Sequence, residues 1–153
     1  MKEIITLNLQ GGIPVISRAG IYQLVANEPN LNNSVIIQVD SSLTRGIVTI
    51  ILPDSSVFQD GQSPTIYVLD IGGDIRTSPI QVYTASAFSE KFAETPQKGN
   101  LAIDVPVKVV QPDLINGSSY FSISSNFGVC KISCIIFKVW MALGNVTNGT
   151  EQA

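Results

Sequence analysis

The sequence of 153 residues contains no histidine, the residue that most often acts as a general base or metal ligand in proteins. A Ser–His–Asp or Cys–His catalytic arrangement is therefore impossible. Asp70 and Asp74, which flank Ile71–Gly72–Gly73, leave two alternatives open: a calcium site completed by backbone carbonyls, or caps of a turn, the commoner role. Asp54 and Asp60, around a serine-rich loop, present the same alternatives. We predict a protein that is not an enzyme, with no catalytic residue, cofactor or bound metal.

Charged residues are also scarce, at 14% of the chain against roughly 25% in ordinary soluble proteins. Either the surface that would be charged in a monomer is buried against partner chains, or the surface is neutral and rich in Ser, Thr, Asn and Gln. The nine Lys and Arg residues are scattered singly and the net charge is −3. Because nucleic-acid binding requires a positive stripe, we expect no nucleic-acid partner.

Long hydrophobic runs are missing as well. The longest apolar-rich stretch, Ile132 to Leu143, contains Ser133 and Lys138 and is too short to cross a bilayer, so we expect no membrane partner. The first ten residues lack the continuous apolar segment of a secretory signal. These features favour a protein that is assembled in a cytoplasm.

There are only two cysteines, Cys130 and Cys134, four positions apart. On a strand this spacing separates their Cα atoms by roughly 13 Å. A disulfide needs Cα atoms about 4.4–6.8 Å apart. Neither a third cysteine nor a histidine is present to complete a zinc site. Both cysteines are therefore predicted to be small buried hydrophobic residues.

The stretch from Gly46 to Val82 organises the rest of the chain. Three runs rich in Ile, Val, Thr and Tyr are separated by Pro, Gly, Asp and Ser. Side chains of the first kind fit a pleated surface, and Asp60–Gly61 and Gly72–Gly73–Asp74 supply turn residues. The pattern predicts a strand–loop–strand–turn–strand unit arranged as a meander.

Short strands and turns continue on both sides of this stretch. We predict one all-β domain over residues 1–143, an antiparallel sandwich, barrel or prism. Residues 1–12 contain a strand that is either an arm added to a neighbour's sheet or an ordinary edge strand. Residues 84–100 are a loop or short-helix insertion, and residues 144–153 a polar tail that is expected to fray. Further strands are predicted at Ile13–Ile16, Gly20–Ala26, Val35–Val39, Leu101–Val110 and Tyr120–Ser124.

The segment Val129 to Leu143 is apolar at nearly every position from Ile132 onward. It predicts one long strand that is buried on both faces, either between two sheets or at the centre of an interlocked oligomer. Lys138 fits such a burial poorly, so its end of the strand should lie where the ammonium group reaches water.

Two other patterns have both a functional and a structural explanation. Five aromatic residues either line a sugar-binding face or belong to the core, as aromatic residues on strands more often do. They are Tyr22, Tyr67, Tyr83, Tyr120 and Trp140. Four Asn-x-Ser/Thr sequences are expected to be chance matches. They begin at Asn32, Asn116, Asn145 and Asn148.

The central stretch resembles β-structured surface proteins of tailed bacteriophages, which include head fibres, capsid decoration proteins and tail-fibre modules. Their pattern is a strand ending in Leu-Pro, a serine-rich loop with glycine, a strand ending in Lys-Asp or Leu-Asp, a glycine-containing turn and a Pro-Ile strand. In this chain the elements are Ile51–Asp54, Gly61, Ile66–Asp70, Gly72–Gly73 and Ser78–Val82, and Ile115–Tyr120 is similar to the next turn. The segment Tyr83–Asn100 departs from the pattern, which runs more directly to that turn.

The resemblance implies a non-enzymatic structural protein of a phage virion, either a capsid decoration protein or a head fibre. Its location would be the virion surface, after assembly in the host cytoplasm. Its partners would be other copies of itself, in an intertwined homotrimer, and the major capsid protein or another virion protein. The alternative is a receptor- or carbohydrate-binding module of a tail fibre or adhesin.

Overall fold

The computed structural model describes residues 4–8, 15–25, 35–58, 63–86 and 113–149. Within these ranges the chain forms eleven strands, one short helix and a 3-10 turn at Ser55–Val57. The strands and helix are β1 (Ile4–Asn8), β2 (Gly20–Val25), β3 (Val35–Val39), α1 (Ser41–Thr44), β4 (Val48–Ile51), β5 (Ile66–Asp70), β6 (Ile80–Tyr83), β7 (Leu114–Ile115), β8 (Tyr120–Ile123), β9 (Val129–Ile136), β10 (Val139–Gly144) and β11 (Val146–Asn148).

The strands form two sheets, which confirms the predicted all-β fold. Sheet A has the order β1-β2-β4-β6-β8-β11, and sheet B has the order β3-β5-β9-β10-β7. One hydrophobic cluster draws side chains from both sheets, so the sheets face each other across a shared core. Within it, the rings of Phe58 and Trp140 meet edge to face, with centroids 6.0 Å apart.

The antiparallel arrangement and the meander predicted for residues 46–82 are wrong. β4 and β6 are parallel neighbours in sheet A, whereas β5 lies in sheet B between β3 and β9. From β2 to β9 the chain changes sheet at every connection, so β2, β4, β6 and β8 become successive neighbours in sheet A, and β3 and β5 become neighbours in sheet B. Both sheets therefore mix parallel pairs, such as β2 with β4 and β3 with β5, with antiparallel ones such as β6 with β8.

The long strand predicted over Val129–Leu143 is also wrong, because the segment folds into a hairpin. β9 and β10 pair antiparallel and are joined by a turn at Phe137–Lys138, where Lys138 has a left-handed φ of 70°. Cys130, Ile132 and Cys134 face the core, while the residues between them face outward. The segment is therefore not buried on both faces. The half-buried Lys138 lies in the turn with its Nζ 4.9 Å from the centre of the Phe137 ring.

The two ends of the chain contribute edge strands to sheet A. β1 pairs in parallel with β2 of its own chain, as expected for the edge-strand alternative. Val146–Asn148, within the predicted polar tail, form β11 and pair with β8. Ile16 forms an isolated bridge with Val39. Several predicted features lie wholly or largely outside the described residues: Ile13–Pro14, most of the 84–100 insertion and the strand Leu101–Val110.

Candidate functional site

Asp70 is a buried structural acceptor at the end of β5. Its Oδ1 accepts from the Ser41 hydroxyl at 2.6 Å and from Gly72 N–H at 3.0 Å. Its Oδ2 accepts from the N–H groups of Gly73 at 3.0 Å and Phe127 at 2.9 Å. Burial alone would raise the pKa of Asp70, but these hydrogen bonds outweigh it and hold the pKa below its usual value. The carboxylate is thus fully engaged by donors of its own chain.

The other predicted acidic candidates do not gather around Asp70 as a ligand set. Asp74 contributes its backbone N–H, which donates to the Ser41 hydroxyl at 2.7 Å. Asp54 caps the 3-10 turn by accepting from Ser56 N–H at 2.9 Å, and this bond lowers its pKa. Asp60 lies outside the described residues. Within the described ranges, no group of three or more His, Cys, Asp or Glu side chains is placed to hold a metal ion.

A second buried carboxylate, Asp113, was not singled out by the sequence. It accepts from Ser55 N–H at 2.8 Å, from the Ser55 hydroxyl at 2.9 Å and from the Trp140 indole N–H at 3.1 Å. The Ser55 hydroxyl oxygen in turn accepts from Lys138 N–H at 3.0 Å. The sequence signal was limited to the turn dipeptide Pro112–Asp113, because Ser55 and Trp140 lie 58 and 27 positions from Asp113. Asp113 therefore fastens the 3-10 turn to the β9–β10 hairpin.

Both cysteines are free and buried on the inner side of β9, as predicted. Burial raises the pKa of Cys130 to about 12 and that of Cys134 to about 11. Since the thiolate is the reactive form, neither residue is suited to nucleophilic or redox chemistry in the folded protein.

The aromatic candidates do not form a sugar-binding row. Tyr22, Tyr83 and Trp140 are buried, while Tyr67 and Tyr120 are half-buried on different sheets. Tyr83 and Tyr120 stack with ring centroids 4.6 Å apart.

The described Asn-x-Ser/Thr positions carry structural hydrogen bonds. The Asn116 side chain donates to Ala142 O at 2.8 Å and accepts from Ala142 N–H at 3.0 Å. Asn145 Oδ1 accepts from Val129 N–H at 3.1 Å, and Asn148 Nδ2 donates to Asn116 O at 3.4 Å. Asn32 lies outside the described residues.

The outward side of sheet B carries a group of exposed hydrophobic side chains, which we name the apolar face; on β9, Lys131 and Ser133 lie between its members. Along β9 and β10 these side chains alternate with core residues, and β7 adds one more. The apolar face consists of Leu114, Val129, Ile135, Val139, Met141 and Leu143, exposed by 37–59%. These side chains lie on one side of the protein, and the largest apolar patch on a protein surface is often functional.

The strand register extends the apolar face toward the opposite edge of sheet B. Leu143 lies beside Lys131, Lys131 beside Tyr67, and Tyr67 beside Ile36. Ile36 is 56% exposed, and Tyr67 and Leu69 are half-buried. Lys131 is the one charged side chain on the outward side of sheet B, within the part of the chain that the structure describes.

No helix among the described residues has the length and apolar character needed to span a membrane. Comparisons with protein-family models, curated proteins and solved structures found no match to this chain.

Proposed function

We propose that this chain is a non-enzymatic structural protein that works through surface contacts, and that it decorates the surface of a phage particle. The observation that carries the proposal is the apolar face of sheet B. Six hydrophobic side chains on adjacent strands remain at least 37% exposed there. A soluble chain gains stability when such a surface is covered by a partner.

The outward sides of the two sheets differ, and the difference supports a dedicated contact surface. On sheet A, the side chains of Ile21, Thr49, Ile51 and Tyr83 point away from the shared core, yet each is buried. On sheet B, the corresponding outward residues of β9 and β10 are exposed. Exposed apolar surface is therefore concentrated on one sheet rather than spread over both.

The carboxylate and thiol groups, which could in principle take part in chemistry, also support a structural role. Asp70 and Asp113 are each saturated by donors from distant parts of the chain. Cys130 and Cys134 are buried with raised pKa values. These groups hold loops and strands together, as expected of a protein whose function depends on shape.

The assignment to a virion extends the resemblance of the central stretch to phage surface proteins. In this proposal the chain forms a homo-oligomer, with three copies expected from the resemblance, and docks on the major capsid protein or another virion protein. A sugar-binding role has less support, because Tyr22, Tyr83 and Trp140 are buried.

Immunogold labelling of purified phage particles tests this proposal. Antibodies raised against the recombinant chain should label the particle surface, and mass spectrometry of the same particles should detect the chain. Antibody preabsorbed with the recombinant chain serves as the control. Label on heads would support a decoration protein or head fibre, and label on tails would favour the receptor-binding alternative. A chain that is abundant in lysates but absent from purified particles would contradict the proposal.

A further inference from the structure

We propose that the apolar face of sheet B packs against the same face of other copies of this chain, so that equivalent residues meet around a symmetry axis near Met141. This inference rests on the assembly role proposed above and names its partner. It concerns how the copies join, and is separate from how the assembly docks on a particle.

Met141 lies at the centre of the apolar face. It pairs with Ser133 on β9, and Val139 and Leu143 flank it on the same side of β10. Leu114, next to Val139 on β7, borders it at one edge of the sheet. Because side chains at alternate positions of a strand share one face, these residues form a compact patch.

The size of the apolar face fits one protein–protein interface. A fully buried Val, Leu, Ile or Met side chain removes about 60–120 Å² from water. With exposures of 37–59%, the six side chains together offer about 150–300 Å². A standard interface buries about 800 Å² per partner, of which roughly 450 Å² is apolar. The face thus supplies about one-third to two-thirds of this apolar area, and Ile36, Tyr67 and Leu69 lie where they extend it.

The chemistry of the face favours identical copies over an unrelated partner. Interfaces between different proteins gain selectivity from opposed charges and hydrogen-bonding groups. The described outward side of sheet B offers one charge, Lys131, two positions away from the strand residue that pairs with Met141. An apolar sheet face needs no charged counterpart, so identical faces from several copies can be buried against one another around a symmetry axis. Lys131 lies on β9, the middle strand of sheet B, between Leu143 and Tyr67, so its long stem can cover apolar surface while its ammonium group must reach water beyond the contact.

A charge at the centre of the apolar face tests the proposal. The wild-type chain should be oligomeric at micromolar concentration in size-exclusion chromatography with light scattering. Met141→Glu should raise the dissociation constant at least roughly thirtyfold and yield monomers, because it places unpaired charges at the interface. Met141 is exposed in the single chain, so the circular dichroism spectrum should be unchanged. Thr147→Glu, at an exposed position of β11 in the other sheet, is the matched control and should leave the oligomer intact.

Thiol cross-linking tests the symmetry itself. Because packed sheets lie about 10 Å apart, too far for a direct disulfide, a short bis-maleimide should join Met141→Cys copies into covalent dimers within the oligomer, whereas Thr147→Cys should give none. Cys130 and Cys134 are buried with raised pKa values and should not interfere. A monomeric wild-type chain, an oligomer that persists in Met141→Glu, or the absence of Met141→Cys dimers would overturn the inference. Monomers that still label particles would refute this interface alone, and oligomers absent from particles would refute the proposed function alone.

Discussion

The buried carboxylate of Asp70 accepts a hydrogen bond from the backbone N–H of Phe127 at 2.9 Å, across 57 positions of sequence. Phe127 has a φ of 57°, a left-handed conformation that bulky residues rarely adopt. Its ring lies against Gly73, although 65% of the residue remains exposed. Since Asp70 also binds Ser41 and the Gly72–Gly73 turn, it connects three loops at one end of the molecule.

Asp70→Asn should therefore destabilise the fold. The amide keeps one acceptor oxygen and turns an NH₂ group toward backbone N–H donors, which leaves buried donors without partners. We expect the free energy of unfolding to fall by about 3 kcal/mol, measured by urea denaturation. Asp74→Asn is the matched control and should change it by less than about 0.5 kcal/mol, because Asp74 contacts Ser41 through its backbone. Equal stability of the two variants would show that Asp70 does not hold the loops.

The same carboxylate makes stability depend on acidity. The pKa of Asp70 is lower in the folded protein than the value of about 3.9 expected in the unfolded chain. The stabilisation that ionised Asp70 gives the folded state is fully present well above the unfolded-state pKa of about 4. It is lost as the pH falls through the lower folded-state pKa. The stability difference between wild type and Asp70→Asn should accordingly shrink between about pH 5 and pH 2. A difference that stays constant in urea titrations over this range would contradict the assigned shift.

Gly73 and Phe127 should be energetically coupled. At Gly73, where φ is 72°, an added Cβ would come within 2.3 Å of the Phe127 Cζ atom. We expect Gly73→Ala to lower the free energy of unfolding by about 1–2 kcal/mol or more. Phe127→Gly relieves the positive φ and removes an exposed ring, so it should be neutral or stabilising by up to about 1 kcal/mol. The double variant should lose less than the sum of the single effects, because the clash is gone. Strict additivity would show that the ring does not contact Gly73.

Local sequence patterns predicted strands but not their partners. The Val- and Ile-rich run at Val35–Val39 predicted β3 with its observed bounds, and the run ending at Asp70 predicted β5. Nothing in such a run indicates which sheet a strand joins, so the change of sheet at each connection could not be predicted. The β9–β10 turn was missed because Phe137 and Lys138 are not turn-forming residues and lie within a nearly continuous apolar run.

For the candidate sites too, the sequence predicted contacts between residues close in sequence but not those between distant residues. The sequence predicted turn caps among its alternatives for Asp70 because Gly72 and Gly73 follow within three positions. The bond from Phe127 to Asp70, and that from Trp140 to Asp113 across 27 positions, depend on tertiary packing. The hydrophobicity of the apolar face was visible in the sequence. Its exposure followed only from the hairpin, which directs one side of β9 and β10 away from the core.

The Trp140 indole N–H donates to Asp113 at 3.1 Å and ties β10 to the residue before β7. Asp113→Ala should leave the buried Ser55 N–H and the Trp140 indole N–H without their acceptor, so we expect the free energy of unfolding to fall by about 4 kcal/mol. Trp140 is the only tryptophan, so its fluorescence reports both the unfolding transition and the environment of the indole. Trp140→Phe removes one donor but retains an aromatic ring near Phe58, and should lose less stability, measured by circular dichroism. If Asp113→Ala unfolded at the wild-type urea concentration with an unchanged native emission spectrum, the carboxylate would not hold the indole, and the connection between the 3-10 turn and the hairpin would have to depend on apolar packing alone.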